Sequence, residues 1–201
     1  MSRRSDPAPA VAIACAGLLL VTVLAVRWSD AVRRADRRLF DALSVADGDG
    51  SPARLVAGIA DPLPFVVLGA LLVGITLAHG ERRRALAMAV VLALAAVTTE
   101  GLKHLLAQGT LHAGAFPSGH TTAAVALAVC LVLAGPGPRR GAAVATGAVV
   151  AAAVGMAVVV IGWHTPTDVV GGVLVAGLVA AAVVSGSGRG RARSRRSARR
   201  G

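Results

Sequence analysis

Phe116-Pro117-Ser118-Gly119-His120 runs without a break into Thr121-Thr122-Ala123-Ala124-Val125-Ala126-Leu127-Ala128-Val129-Cys130-Leu131-Val132-Leu133-Ala134, a polar, turn-forming pentapeptide joined to an uncharged apolar stretch. Serine after proline suits a helix N-cap. The first N–H groups of the helix it opens have no intrahelical acceptor, so the turn is a ready anion site. His120 adds a titratable group at the same place. An apolar helix entered from a polar end that carries chemistry is the unit from which the rest of the chain can be read.

Moving outward, the same unit recurs. With 201 residues, 55% of them hydrophobic, and a mean hydropathy of +0.71, the chain is too apolar for a soluble domain and has room for about six spans of ~20 residues. The fold class expected is all-α, a polytopic membrane helical bundle of about six transmembrane helices. Aromatic residues make up only 2%, so the helices are expected to pack through Ala, Gly and Val. The spans fall at about 11–26, 63–78, 85–106, 119–134, 142–162 and 166–184. Residues 1–10 form an N-terminal tail, 11–184 one membrane domain with its motifs in 103–168, and 185–201 a basic, disordered tail. The first apolar run ends near Val23-Leu24-Ala25, a weak cleavage pattern, and is read as an uncleaved span in preference to a signal peptide. Residues 30–45 alternate arginines and aspartates with Val32, Leu39, Phe40 and Leu43, which suits a helix lying on the membrane surface; 46–52 reads as a loop.

Charge sets the orientation. Arg82 to Arg84, Arg139, Arg140 and the tail arginines, which hold +7 of the net +11, all fall at one end of the alternating spans, and the positive-inside rule makes that end cytoplasmic. The N-terminal tail falls on the same side. The turn at 116–120 then faces outward, with the end of the third span, the end of the fifth and the start of the sixth. Six arginines between Arg27 and Arg54 fall on the outer side against the rule, offset by six aspartates at 30, 36, 41, 47, 49 and 61. Beside a membrane the basic tail is expected to bind anionic lipid and not nucleic acid. Cys15 and Cys130 lie in apolar runs as free thiols.

Four further residues share the outer end with His120. Lys103, the sole lysine, lies in an apolar helix where a charge is costly unless paired or used; Glu100 at i,i+3 offers a pair. His164-Thr165-Pro166-Thr167-Asp168 opens the last span with the spacing of a capping box, so Asp168 has a structural reading, and the same spacing brings it near His164 as an orienting partner. Two histidines, one cation and a helix-start anion nest suit phosphoryl transfer, in which one histidine attacks phosphorus and the other protonates the leaving oxygen. A two-histidine zinc site lacks a third ligand, and no metal or other cofactor is implied.

These residues resemble the type 2 phosphatidic acid phosphatase family, six-span membrane enzymes that share a catalytic core with vanadium haloperoxidases. Its pattern is Lys, six residues, Arg-Pro; then Pro-Ser-Gly-His; then Ser-Arg, five residues, His, three residues, Asp. Pro117 to His120 match the second piece, His164 and Asp168 the third, and Lys103 the first. The resemblance implies His164 as a phosphohistidine nucleophile, Asp168 as its partner and His120 as general acid. It implies Lys103, Ser118 and Gly119 as phosphate ligands and a phosphorylated lipid, a phospholipid or polyprenyl carrier, as substrate. Two departures stand out: Thr110-Leu111 replaces Arg-Pro, and Ala157-Val158 replaces Ser-Arg. Losing one cationic donor to a transition state costs roughly a hundred- to a thousandfold in rate. Thr110, His104 and His112 are the nearby polar groups left to compensate, and His79 reads as structural. The alternatives are a family member that binds lipid phosphate without turnover, and a transporter using Glu100, Lys103 and Asp168, which is disfavoured because these groups cluster at one end. Arginine-over-lysine, alanine-rich usage points to a bacterial plasma membrane.

Overall fold

Apolar helical periods and proline starts account for most of the architecture. A computed structural model of the chain describes residues 7–45, 51–107, 115–135 and 137–197. In order, these form α1 (Ala8–Trp28), α2 (Asp30–Leu43), α3 (Pro52–Gly58), α4 (Pro62–Ala78), α5 (Arg82–Ala107), α6 (Gly119–Ala134), a 3-10 turn at Gly137–Arg139, α7 (Arg140–Val160) and α8 (Pro166–Ser197), with no strand among the described residues. α3, α4 and α8 start on proline, whose fixed φ and missing N–H suit a first helical turn. α2 starts after Ser29, whose hydroxyl accepts from the Val32 amide at 3.3 Å.

The protein is a multi-pass membrane bundle. α1, residues 82–106, residues 137–160 and residues 166–186 are each long and apolar enough to span, and α3 with α4, bent by 49°, passes as a fifth. The sixth expected span, α6, is apolar but has 16 residues, about 24 Å of helix, less than the hydrocarbon thickness. It does not need the full length, because it is the central helix: α4, α5, α7 and α8 all pack on it, and Thr121, Thr122, Ala124, Ala126, Leu127 and Cys130 are buried. Its polar start is thus recessed within the bundle.

Small residues set the helix spacing, as expected for a bundle whose apolar outer faces gain nothing from burial against each other in lipid. A Cβ on Gly147 of α7 would lie 2.8 Å from Ala128 Cβ of α6. α1 packs along α8, where Cys15 Sγ would be 3.1 Å from a Cβ on Gly177, and Leu19 clusters with Phe116 and Val175.

Three sequence readings change. The loop expected at 46–52 gives way at Pro52 to the seven-residue helix α3, too short to show a period; residues 46–50 lie outside the described residues. α2 is amphipathic, as expected, but it is tied to the bundle. Its Asp36 accepts from the Thr167 backbone N–H at 2.9 Å and from the Thr167 hydroxyl, and Val45 N–H donates to Val160 O at 2.9 Å. The basic segment expected to be disordered from 185 continues α8 as helix to Ser197, consistent with arginine and alanine being good helix formers between singly spaced glycines.

Candidate active site

Helix starts and ends converge at one end of the bundle. α7 stops at Val160, and Gly162, at φ +78°, turns the chain in a left-handed conformation that favours glycine. The amides of Trp163 and His164 both donate to Val158 O, at 3.0 and 3.1 Å, which fixes His164 just beyond the end of α7. Asp168 Oδ2 then accepts from the Thr165 amide at 2.9 Å, so the capping reading of Asp168 is realised.

The 116–120 turn is seated on the start of α8. Ser118 N–H donates to Asp168 O at 2.9 Å, and the Thr122 hydroxyl bridges Ser118 O and Gly172 O. Only glycine permits this approach: a Cβ at Gly171 would meet the Phe116 ring at 2.5 Å, and one at Gly172 would meet Ser118 O at 2.7 Å. The Phe116–Pro117 peptide is cis. Ser118 is fully buried, and its hydroxyl accepts from the Thr121 amide and pairs with the Thr121 hydroxyl. That hydroxyl is consumed as the helix cap, so the donors this turn leaves open are the amides of Gly119 and His120.

The two histidines meet with ring centroids 6.2 Å apart, and Trp163 packs 5.2 Å from His120. Each ring has a carboxylate. His164 Nδ1 is 3.5 Å from Asp168 Oδ2, an ion-pair distance without hydrogen-bond geometry, and this buried nitrogen has no hydrogen-bond partner among the described residues. His120 Nε2 is hydrogen-bonded at 3.0 Å to Asp61 Oδ1, whose other oxygen lies 3.3 Å from Arg54 Nη1. The Arg54 guanidinium lies 4.6 Å over the Trp163 ring.

Lys103 forms the i,i+3 pair with Glu100 and also lies beside the start of α6. Its Nζ is 2.8 Å from Glu100 Oε1 and 3.2 Å from where a Gly119 Cβ would stand, so the ammonium reaches the start of α6 because residue 119 has no side chain. The six expected residues do not share one cavity, however. Lys103, Gly119 and His120 line a space of about 390 Å³ with Thr99 and Pro62. His164 and Asp168 line another of about 440 Å³ with Trp163 and the α2 side chains Arg33, Arg37 and Phe40. The two spaces adjoin where His120 faces His164. Among the described residues no three His, Cys, Asp or Glu side chains are grouped to hold a metal.

The family model of the PAP2 superfamily matches residues 107–191, which hold the capped turn, both histidines and Asp168. Over that stretch the chain is similar to the PAP2 superfamily. Its fold is also that of a crystal structure described as the first transmembrane PAP2 type phosphatidylglycerolphosphate phosphatase from Bacillus subtilis. The TM-score is 0.68 and the identity 23%, over 87% of this chain and 94% of that one. No curated protein matches the chain.

Within the PAP2 pattern, the structure explains one departure. Val158 is fully buried, clustered with Ala57, Ala157 and Ile161, so α3 leans directly on the position where the pattern has arginine. Thr110, Leu111 and His112 lie outside the described residues. His104 is exposed, and His79 Nδ1 is 2.7 Å from Ile75 O of its own helix, a local contact. Sequence reasoning missed Asp61, Arg54 and the α2 arginines as site residues. A signal for one was present: Asp61-Pro62 is a helix-start pair like Thr165-Pro166.

Proposed function

We propose that the protein is an integral membrane phosphatase that removes a phosphate, from a monoester or a diphosphate, on a phospholipid or polyprenyl carrier. The observation that carries this is the meeting of His120 and His164 at 6.2 Å, at the capped start of α6 with Lys103 beside it. The match of residues 107–191 to the PAP2 superfamily model supports the reaction class. The likeness to a phosphatidylglycerolphosphate phosphatase supports a lipid substrate.

In this reading Asp168 faces Nδ1 of His164, so Nε2 is the nitrogen with the free lone pair. Nε2 attacks phosphorus, the N–P bond forms as the P–O bond to the lipid breaks, and the leaving oxygen takes a proton from His120. Water then attacks the phosphohistidine, giving up a proton to His120. The N–P bond breaks, inorganic phosphate leaves, and both rings return to their starting state. Lys103 and the amides of Gly119 and His120 hold phosphoryl oxygens as charge moves onto them. The site lies on the extracytoplasmic face of a bacterial plasma membrane, with the arginine tail at the inner, anionic surface.

The test is phosphate release by detergent-solubilised protein, in chelator, from phosphatidate, phosphatidylglycerol phosphate and polyprenyl diphosphate. Turnover of at least one, abolished in His164→Ala, is the expected result. If wild type does no better than His164→Ala on any of the three, this reading fails; if neither releases phosphate, the protein is a lipid-phosphate binder and not an enzyme.

A further inference from the structure

The structure points to a replacement for the two missing arginines: we infer that Arg37 of α2 and Arg54 of α3 are the guanidinium ligands of the phosphoryl group, supplied from a part of the chain that precedes the matched region. This rests on the reading that phosphorus is held between His164 and His120. Three observations carry it.

First, α2 turns one face to the His164 cavity. Arg33, Asp36, Arg37, Phe40 and Asp41 line it, at the i, i+3, i+4, i+7, i+8 spacing of a single helical stripe. Two of these charges are committed elsewhere: Asp36 holds the start of α8, and Arg33 donates to the last carbonyls of α1, Val26 O and Arg27 O, at 2.8 and 2.7 Å and pairs with Asp30. Arg37 makes no ion pair or side-chain hydrogen bond among the described residues, so its fork is free for an oxyanion, with Asp41 the only uncommitted acid on that stripe.

Second, the valine at 158 is what seats the second arginine. Its small side chain is packed under α3, with Ala53, Val56 and Ala57 against the same cluster, and this brings Arg54 over Trp163, next in sequence to His164. An arginine at 158 would evict the helix that carries Arg54. Third, Arg54 is held at the other histidine too, through Asp61, which bridges it to His120 at 3.3 and 3.0 Å. The inference also accounts for the six arginines that sit on the outer side against the positive-inside rule: part of that charge serves the site.

The experiment uses the full chain in detergent, with sodium tungstate as the phosphate mimic in titration calorimetry and phosphate release as a second readout. Arg37→Gln and Arg54→Gln are each expected to weaken tungstate at least tenfold and to lower kcat/KM about a hundredfold. Arg38→Gln, exposed and off the stripe, is expected to stay within twofold. Asp61→Asn separates a ligand from a prop. If Arg54 binds the anion, releasing it from Asp61 leaves tungstate affinity intact or stronger. If Arg54 only positions Asp61, Asp61→Asn and Arg54→Gln lose affinity alike, and the assignment of Arg54 falls. Tungstate affinity within twofold of wild type in either arginine variant overturns the assignment of that residue. Because the calorimetry needs no turnover, a protein that binds tungstate through both arginines yet releases no phosphate would remove the phosphatase reading and leave this one standing.

Discussion

The two histidines at the mouth of the bundle are each faced by an aspartate, and the pairs differ in a way that runs against sequence distance. His164 and Asp168 are four residues apart at one helix start, yet the ring nitrogen and carboxylate are 3.5 Å apart, and Asp168 spends its oxygen on the Thr165 amide. His120 and Asp61 are 59 residues apart, and their contact is a hydrogen bond of 3.0 Å braced by Arg54. Spacing along a helix guarantees neighbourhood and not bonding, because a capping carboxylate is already aimed at the backbone. The nearer aspartate leaves the His164 ring loosely held; the distant one fixes the His120 ring.

Removing the His164 ring breaks the comparison outright. His164→Ala is expected to lower phosphate release by about 10⁴-fold or more, since no other group at that helix start can form the covalent bond. Next in size is Asp168→Ala, which takes away both the charge beside Nδ1 and the cap. Turnover should fall about a hundred- to a thousandfold and unfolding should ease by about 1 kcal/mol, read by phosphate release and thermal melting in detergent. Asp168→Asn sharpens the point by keeping a capping oxygen and losing the charge: the turnover loss should persist while the melting loss shrinks. Asp61→Asn should cost about ten- to a hundredfold in kcat, within the range of a misdirected general acid, without the melting loss of Asp168→Ala. Equal effects of Asp61→Asn and Asp168→Ala on melting would mean that Asp61 is structural. Smallest is Asp36→Ala, which releases α2 from the start of α8; roughly a threefold loss in kcat/KM is expected, with tungstate affinity as the check.

Much of this fold was legible from local pattern. Apolar runs, proline starts and the Ser118 and Thr165–Asp168 caps are written within a few residues of where they act, so the expected spans at 63–78, 119–134 and 142–162 lie close to α4, α6 and α7. The seat of the turn was not legible, because Gly171 and Gly172 act on Phe116 and Ser118 across more than fifty residues and look like ordinary small residues in a membrane helix. Nor was the N-terminal contribution. Asp36 meets Thr167 at a separation of 131 residues, and α3 is a single short helix whose alanines reveal their purpose only against Val158. The resemblance implies Ser118 as a phosphate ligand; in the structure its buried hydroxyl caps α6 by accepting from the Thr121 amide. Motifs declare the groups on one segment and are silent about what another segment brings to them.

The central claim is that His164 becomes covalently phosphorylated with His120 as the acid that releases the lipid. The direct measurement is to mix purified protein with substrate labelled at the terminal phosphate, quench under alkaline denaturing conditions that preserve phosphohistidine, and locate the label by peptide mapping. The account expects an acid-labile label on the peptide that holds His164, absent in His164→Ala. Label on His120 instead, or turnover by wild type and His164→Ala alike with no label on either, would contradict it.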